Sequence, residues 1–191
     1  MPKFKAVNGW FYNAQELEKL NGADGVVGTG LTASQGAGVV QTVTINVPAE
    51  TTVAMVDATT AGSHGSKKVF TFPAGNIQVL GATTDLAIAR VGTALTATSA
   101  VIGALGTVVT ANTDATLTST EANIVPSTAA TLAAGVGAFD GQSTASVTLD
   151  GTATPVDVYM NFATPDAGST GNDSLTVSGQ IVISFLVLGD N

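Results

Sequence analysis

The chain has 191 residues, a net charge of −8 and an isoelectric point near 4.2, with one histidine and no cysteine. The length suits one domain with an appendage and a core that needs no staples. The absent cysteines exclude disulfides and thiolate metal sites, and six basic residues against fourteen acidic ones make nucleic acid and anionic membrane poor partners. The rest is dominated by Thr, Ala, Val, Gly and Ser, residues that build sheets and turns. No run reaches the roughly 18 apolar residues of a membrane span. Nothing apolar follows Lys3 and Lys5 as a secretory signal would require, so synthesis and retention in a cytoplasm are expected.

The first 25 residues differ from the rest. Phe4, Trp10, Phe11 and Tyr12 are four of the ten aromatic residues. Lys3, Lys5 and Lys19 balance Glu16, Glu18 and Asp24, so the whole −8 sits on the remainder. Asn13-Ala14-Gln15-Glu16 has the form of a capping box. It predicts a two-turn helix over 14–20, stopped by Asn21-Gly22, that presents Leu17 and Leu20 and is too short to stand alone. Residues 1–25 therefore read as an aromatic docking arm, and 26–38 as a Gly-rich linker that should be mobile or extended. A strap folded back on its own body and an arm reaching another subunit are both open.

From residue 39 to 191 the pattern is that of strands. Residues 39–47 alternate with period two and should stop at Pro48. Residues 67–72 form a second run before Pro73. Then come 76–80 and 84–89, separated by Gly81, and a Gly-interrupted run over 101–110. Helix signals are weak: Ser127–Ala134 is Ala-rich but runs into Gly135 and Gly137. Residues 145–149 and 156–162 flank Asp150-Gly151, which reads as a turn between them. Residues 175–183 alternate well, whereas 184–188 turn apolar on both faces, as in a central strand or one covered by a partner. The expected class is all-β: a β-sandwich or jelly-roll-like body with an extended N-terminal arm carrying a short helix. Ile181, Ile183, Phe185 and Val187 are candidates for core or for a subunit interface.

Chemistry has little to work with. His64 sits in a Gly- and Ser-rich stretch expected to be a loop. Ser63 and Asp57 are near it in sequence, but no nucleophile elbow surrounds them. The carboxylates are scattered through turns, and body aromatics are too few for a sugar-hydrolysing cleft. Asp166, Asn172 and Asp173 share one loop; Asx turns account for them, with Ca²⁺ as the alternative. Gly28-Thr29-Gly30 lacks the context of a phosphate-binding loop. No catalytic residue, cofactor or metal is assigned.

One stretch of motifs carries a resemblance. Residues 118–128 (TSTEANIVPST) precede Leu149-Asp150-Gly151-Thr152-Ala153 and Asp157-Val158-Tyr159-Met160-Asn161-Phe162. The chain then runs through 175–183 (LTVSGQIVI) to Leu188-Gly189-Asp190-Asn191. This order resembles small virion structural proteins of tailed phages, of the head decoration type. Phe185-Leu186-Val187 stands where that pattern has a Trp-containing, more polar strand end, and the aromatic arm has no counterpart in it. The resemblance implies a β-rich, non-enzymatic knob on the outer capsid surface, a homotrimer at three-fold and quasi-three-fold positions with the major capsid protein as partner. Phe4, Trp10, Phe11, Tyr12, Leu17 and Leu20 are then expected to dock on the capsid or on a neighbouring subunit. The rival expectation is an adhesive or receptor- or carbohydrate-binding virion module. A hydrolase dependent on His64 is the third class.

Overall fold

In the computed structural model the described residues are 4–6, 9–11, 25–35, 40–58, 62–111 and 116–189. They contain thirteen strands and no α-helix. β1 (Phe4–Ala6) and β2 (Gly9–Phe11) pair only with each other. The other eleven join one antiparallel sheet: β3 (Val26–Val27), β4 (Thr32–Gln35), β5 (Val40–Asp57), β6 (Ser63–Thr71), β7 (Gly75–Arg90), β8 (Ile102–Gly106), β9 (Val125–Ala129), β10 (Val136–Phe139), β11 (Val147–Gly151), β12 (Asp157–Thr164) and β13 (Asp173–Gly189). The protein is all-β. The helix expected over 14–20 lies outside the described residues.

The sheet folds over on itself. Its order is β10-β7-β13-β5-β6-β12-β8-β9, with β11 also on β7, β4 on β5 and β3 on β6. β5 meets β6 only at its last two residues, through Val56 opposite His64 and Asp57 opposite Ser63. Along the rest of its length β5 pairs with β13 and β4. That single corner lets a first layer (β10 and β11, β7, β13, β5, β4) face a second (β3, β6, β12, β8, β9). Between them Phe185 of β13 packs against Phe70 of β6 and Phe72 just beyond its end, with ring centroids 6.0 and 5.0 Å apart. Phe139 of β10 meets Phe162 of β12 at 5.9 Å.

Period-two patterning explains which residues make this core. Val43, Ile45, Val47, Val53 and Met55 of β5 are buried, as are Ile77, Val79, Leu86 and Ile88 of β7. Leu175, Val177, Ile181, Ile183 and Phe185 of β13 meet them. Alternate residues between these point out of the sandwich.

Three readings of the sequence are corrected. β5 does not stop at Pro48. Its pairing with β13 jumps from Val47–Gly179 to Thr51–Val177, leaving Pro48, Ala49 and Glu50 in a bulge, where a residue without an N–H costs no ladder bond. Gly179 serves the same irregularity: its φ is +134°, and a Cβ there would lie 2.1 Å from the Asp85 carbonyl oxygen. Residues 76–80 and 84–89 are parts of one strand, because Ser184 faces Gly81 and Phe185 faces Val79, so Leu80 is merely an extra residue on β7. β11 and β12 do not form a hairpin around Asp150-Gly151. β11 pairs with β7 in one layer and β12 with β6 and β8 in the other; Asp150 instead accepts bonds from the Thr152 amide and hydroxyl in an Asx turn. The start of the Ala-rich run belongs to β9, which pairs with β8.

The Gly-rich segment is extended, as one alternative had it, but is laid on the body. β3 pairs with Thr71 and Phe70, and β4 pairs with residues 43–46 of β5. Leu31 is buried, and the Gly28 amide donates to the Val69 carbonyl at 2.9 Å.

Candidate docking surfaces

His64 is on β6, half-buried, opposite Val56 and Ala163, and not in a loop. The Gly and Ser residues around it suggested a turn; pairing on both sides made it a strand. Neighbouring residues of a strand point to opposite faces, so Ser63 and His64 do not converge. Ser63 is fully buried, its hydroxyl bonded to that of Ser169. The arrangement provides no Ser-His relay at these positions.

Two of the three residues that suggested calcium, Asn172 and Asp173, have their oxygens engaged by backbone amides, and the Asp166 side chain lies outside what is described. The Asn172 side-chain oxygen accepts from the Asp57 amide at 2.8 Å. The Asp173 carboxylate accepts from the amides of Gly92, Leu95 and Ser174 at 2.6, 2.8 and 2.7 Å. Among the described residues no group of three or more His, Cys, Asp or Glu is placed to hold a metal. Burial pushes the Asp173 carboxyl up, but the backbone N–H groups outweigh it and hold it below the ordinary aspartate value. A carboxylate depressed in the folded state stabilises above its unfolded pKa, and that stability disappears as pH falls through the folded value. Asp173→Asn is expected to lower stability at pH 7 by about 2 kcal/mol and to make the melting temperature less sensitive to acid below about pH 4. Thermal melts of both chains at pH 7 and pH 3 check this; parallel pH profiles would count against the depressed carboxyl.

A second polar cluster lies in the other layer. Asn161 of β12 is fully buried. Its amide donates to the carbonyls of Val108 and Glu121 at 2.9 and 2.7 Å, and its oxygen accepts from Ser66 at 2.7 Å. The Ser66 hydroxyl in turn accepts from the Thr110 amide. The Glu121 carboxylate, also buried, takes the amides of Ala111 and Thr118. These groups pin the connection between β8 and β9, which carries the half-exposed Val108 and Val109. Sequence reading missed the cluster because its centre, Asn161, lies 40 residues from Glu121 and 95 from Ser66. On the outside of this layer Lys68 pairs with Asp157 at 3.3 Å, and Thr71 and Tyr159 donate to the same carboxylate. Exposed pairs of this kind contribute about 1 kcal/mol at most.

The outer face of the first layer is different. Thr42, Thr44 and Asn46 of β5, Gln180, Val182, Ser184 and Leu186 of β13, and Leu80, Thr83 and Asp85 of β7 share it, mostly uncharged and polar. Val40, Leu80 and Leu188 are exposed apolar residues toward one end. A groove of about 220 Å³ opens there, lined by Leu80, Gly81, Ala82, Thr83, Gln142, Ser143, Val182 and Ser184. It exists because Leu80 is the extra residue of the β7 bulge and Gly81 has no side chain; a Cβ on Gly81 would meet nothing within 4 Å. The 142–143 segment closes one wall, held by the Ser143 amide on the Ala82 carbonyl and the Ala82 amide on the Ser143 hydroxyl.

The sequence candidates divide between these places. Ile181, Ile183 and Phe185 are fully buried within one chain, and Val187 packs against the same core. The first three have no surface to offer a second copy. Phe4, Trp10 and Phe11 belong to the β1–β2 hairpin, in which Phe4 stands opposite Phe11 and Lys5 opposite Trp10. Tyr12, Leu17 and Leu20 lie outside the described residues.

No family model and no curated protein matches the chain. Among solved structures, the enzymatically active domain of tailspike protein 4 from bacteriophage CBA120 aligns over 83% of this chain and 19% of its own, at 13% identity and a TM-score of 0.20. A superposition that loose carries no argument about fold or role.

Proposed function

We propose that this protein is a non-enzymatic decoration protein of a tailed-phage head. It binds the outer surface of the major capsid shell as a trimer at three-fold and quasi-three-fold positions and clamps neighbouring capsid subunits against internal DNA pressure. It is made in the host cytoplasm and ends in the virion. The observation that carries this reading is the division of labour in the chain. The two polar clusters of the body hold loops in place, while Phe4, Trp10 and Phe11 belong to two short strands that, among the described residues, pair with each other and not with the body sheet. Aromatic anchors supply most of the energy of an interface, and three arms on one trimer multiply weak contacts through avidity.

The arm is testable. Replacing both Trp10 and Phe11 with Ala is expected to reduce binding to expanded, undecorated phage heads by a hundredfold or more, roughly two anchors at 2 kcal/mol each, while the body still melts cooperatively. Co-sedimentation of wild-type and variant protein with such heads reads the difference. Equal loading would remove the arm from the contact; loading of neither chain would remove the capsid.

A further inference from the structure

We propose that the apolar end of the outer face of the first layer is a contact between two copies of this chain, packed face to face about a two-fold axis in the free protein. This goes beyond the capsid role and does not depend on it. The trimer is the assembly on the shell; the pair is the form of the chain before it reaches one.

The face begins where the polar half of the sheet stops. Asn46, Gln180 and Asp85 stand side by side in the last polar row. Past it, one row crosses four strands: Val136 of β10, Ala89 of β7, Thr176 of β13 and Thr52 of β5. Around that row Val56, Val91 and Val136 are 48, 60 and 56% exposed, with Ala54, Ala87 and Ala138 exposed between them. Residues two apart on a strand share a face, so these side chains form one surface, broken only by small hydroxyl residues of β5 and β13. No charged side chain among the described residues lies on it. Arg90 turns away and donates to the Leu95 carbonyl at 2.8 Å, and the Asp173 carboxylate is held by the amides of Gly92 and Leu95.

Charge selects the occupant. The chain carries a net −8, so two copies repel at most approaches. They repel least where neither presents a charge. The exposed acids Glu50, Asp85 and Asp140 lie along one border of the face only, toward the polar half. An isologous contact with its axis through the row of Ala89 and Thr176 sends that border to opposite ends of the two copies. Like charges then do not meet. A second copy also matches the face in outline and flatness, because short side chains on both sides let two sheets stack at about 10 Å.

The area sets the strength. The face offers about half of the roughly 20–30 residues a side found in a standard interface. The pair therefore belongs with weak contacts that form and dissolve with concentration. Such a contact covers the apolar surface while copies accumulate and yields when a stronger partner competes.

Sedimentation equilibrium of the full chain, from low to high micromolar concentration, reads this directly. The mass of the wild-type protein is expected to rise from 18.9 kDa toward twice that value. Ala87→Glu on β7 and, independently, Ala54→Glu on β5 each place a charge on the face. Both should hold the mass at one chain over the same range, with the sheet signal in circular dichroism unchanged. Thr83→Glu, exposed on the polar half of the same layer, adds the same charge and should leave the pairing intact. A wild-type chain that stays single at every concentration overturns the proposal, as does one that forms trimers in solution. So does a pair that survives both Ala87→Glu and Ala54→Glu. No capsid enters these measurements, so their failure is separate from a failure to load phage heads.

Discussion

Phe185→Ala is expected to cost about 4 kcal/mol, the largest loss from truncating one side chain of this fold. Phe185 is fully buried on the strand that has β5 on one side and β7 on the other. Its ring touches Phe70 and Phe72, which form an edge-to-face pair of their own at 5.4 Å. Removing the ring forfeits its burial, its share of the aromatic contacts, worth about 1 kcal/mol per pair, and leaves a cavity between the layers that strands held by continuous ladders cannot close. Phe185→Leu refills part of that space and should recover roughly half. Leu188→Ala, at a position 49% exposed, should cost less than about 0.5 kcal/mol. Urea unfolding of the three variants gives the ranking. A Phe185→Ala loss no larger than that of Leu188→Ala would show that the two layers are not packed through this trio.

Asn161→Leu should be nearly as damaging, about 3–5 kcal/mol, for the opposite reason. The branched shape is kept and the hydrophobicity raised, yet the carbonyls of Val108 and Glu121 lose the amide donor of Asn161, and the Ser66 hydroxyl loses its acceptor while keeping the Thr110 amide. Buried groups left without a bond cost about 1–3 kcal/mol each. The damage should be local first: amides near Thr110, which relies on Ser66, are expected to exchange with solvent faster before the sheet as a whole weakens. A double-mutant cycle with Ser66→Ala measures the coupling. Additive losses would mean that the two side chains act separately and not as one network.

What could be read from the sequence followed the range of the interactions. The alternation of 39–47 and 175–183 announced β5 and β13, because a period of two records burial on one face without reference to the partner strand. Local signals misled wherever a distant strand decided the outcome. Pro48 looked like a terminus, but β13 carries the ladder past it through a bulge. Asp150-Gly151 looked like a hairpin turn, but β7 and β6 claim the flanking strands for different layers. His64 looked like loop because its neighbours are small, and it became strand because Ala163, about a hundred positions on, lies alongside. The groove was invisible for the same reason: it depends on which residue of β13 faces Gly81, a fact of register. The apolar tail of β13 left core and subunit interface open, and the geometry buries Ile181, Ile183 and Phe185 within one chain.

The position of β13 sets when this protein can fold. Leu186 pairs with Val40, and Val187 with Ile77, across separations of 146 and 110 positions. β5 and β7 do not touch until β13 enters between them. While the chain is being translated, two of its longest apolar strands therefore wait with open edges, and the first layer closes only after residue 189 has left the ribosome. Nothing resembling the finished sandwich can form domain-style from the N-terminal half, and a message cut short before codon 173 encodes a chain with no centre. Long-range pairing of this kind folds slowly and exposes sticky intermediates. A cell making many copies at once would feel that cost as a demand on its chaperones.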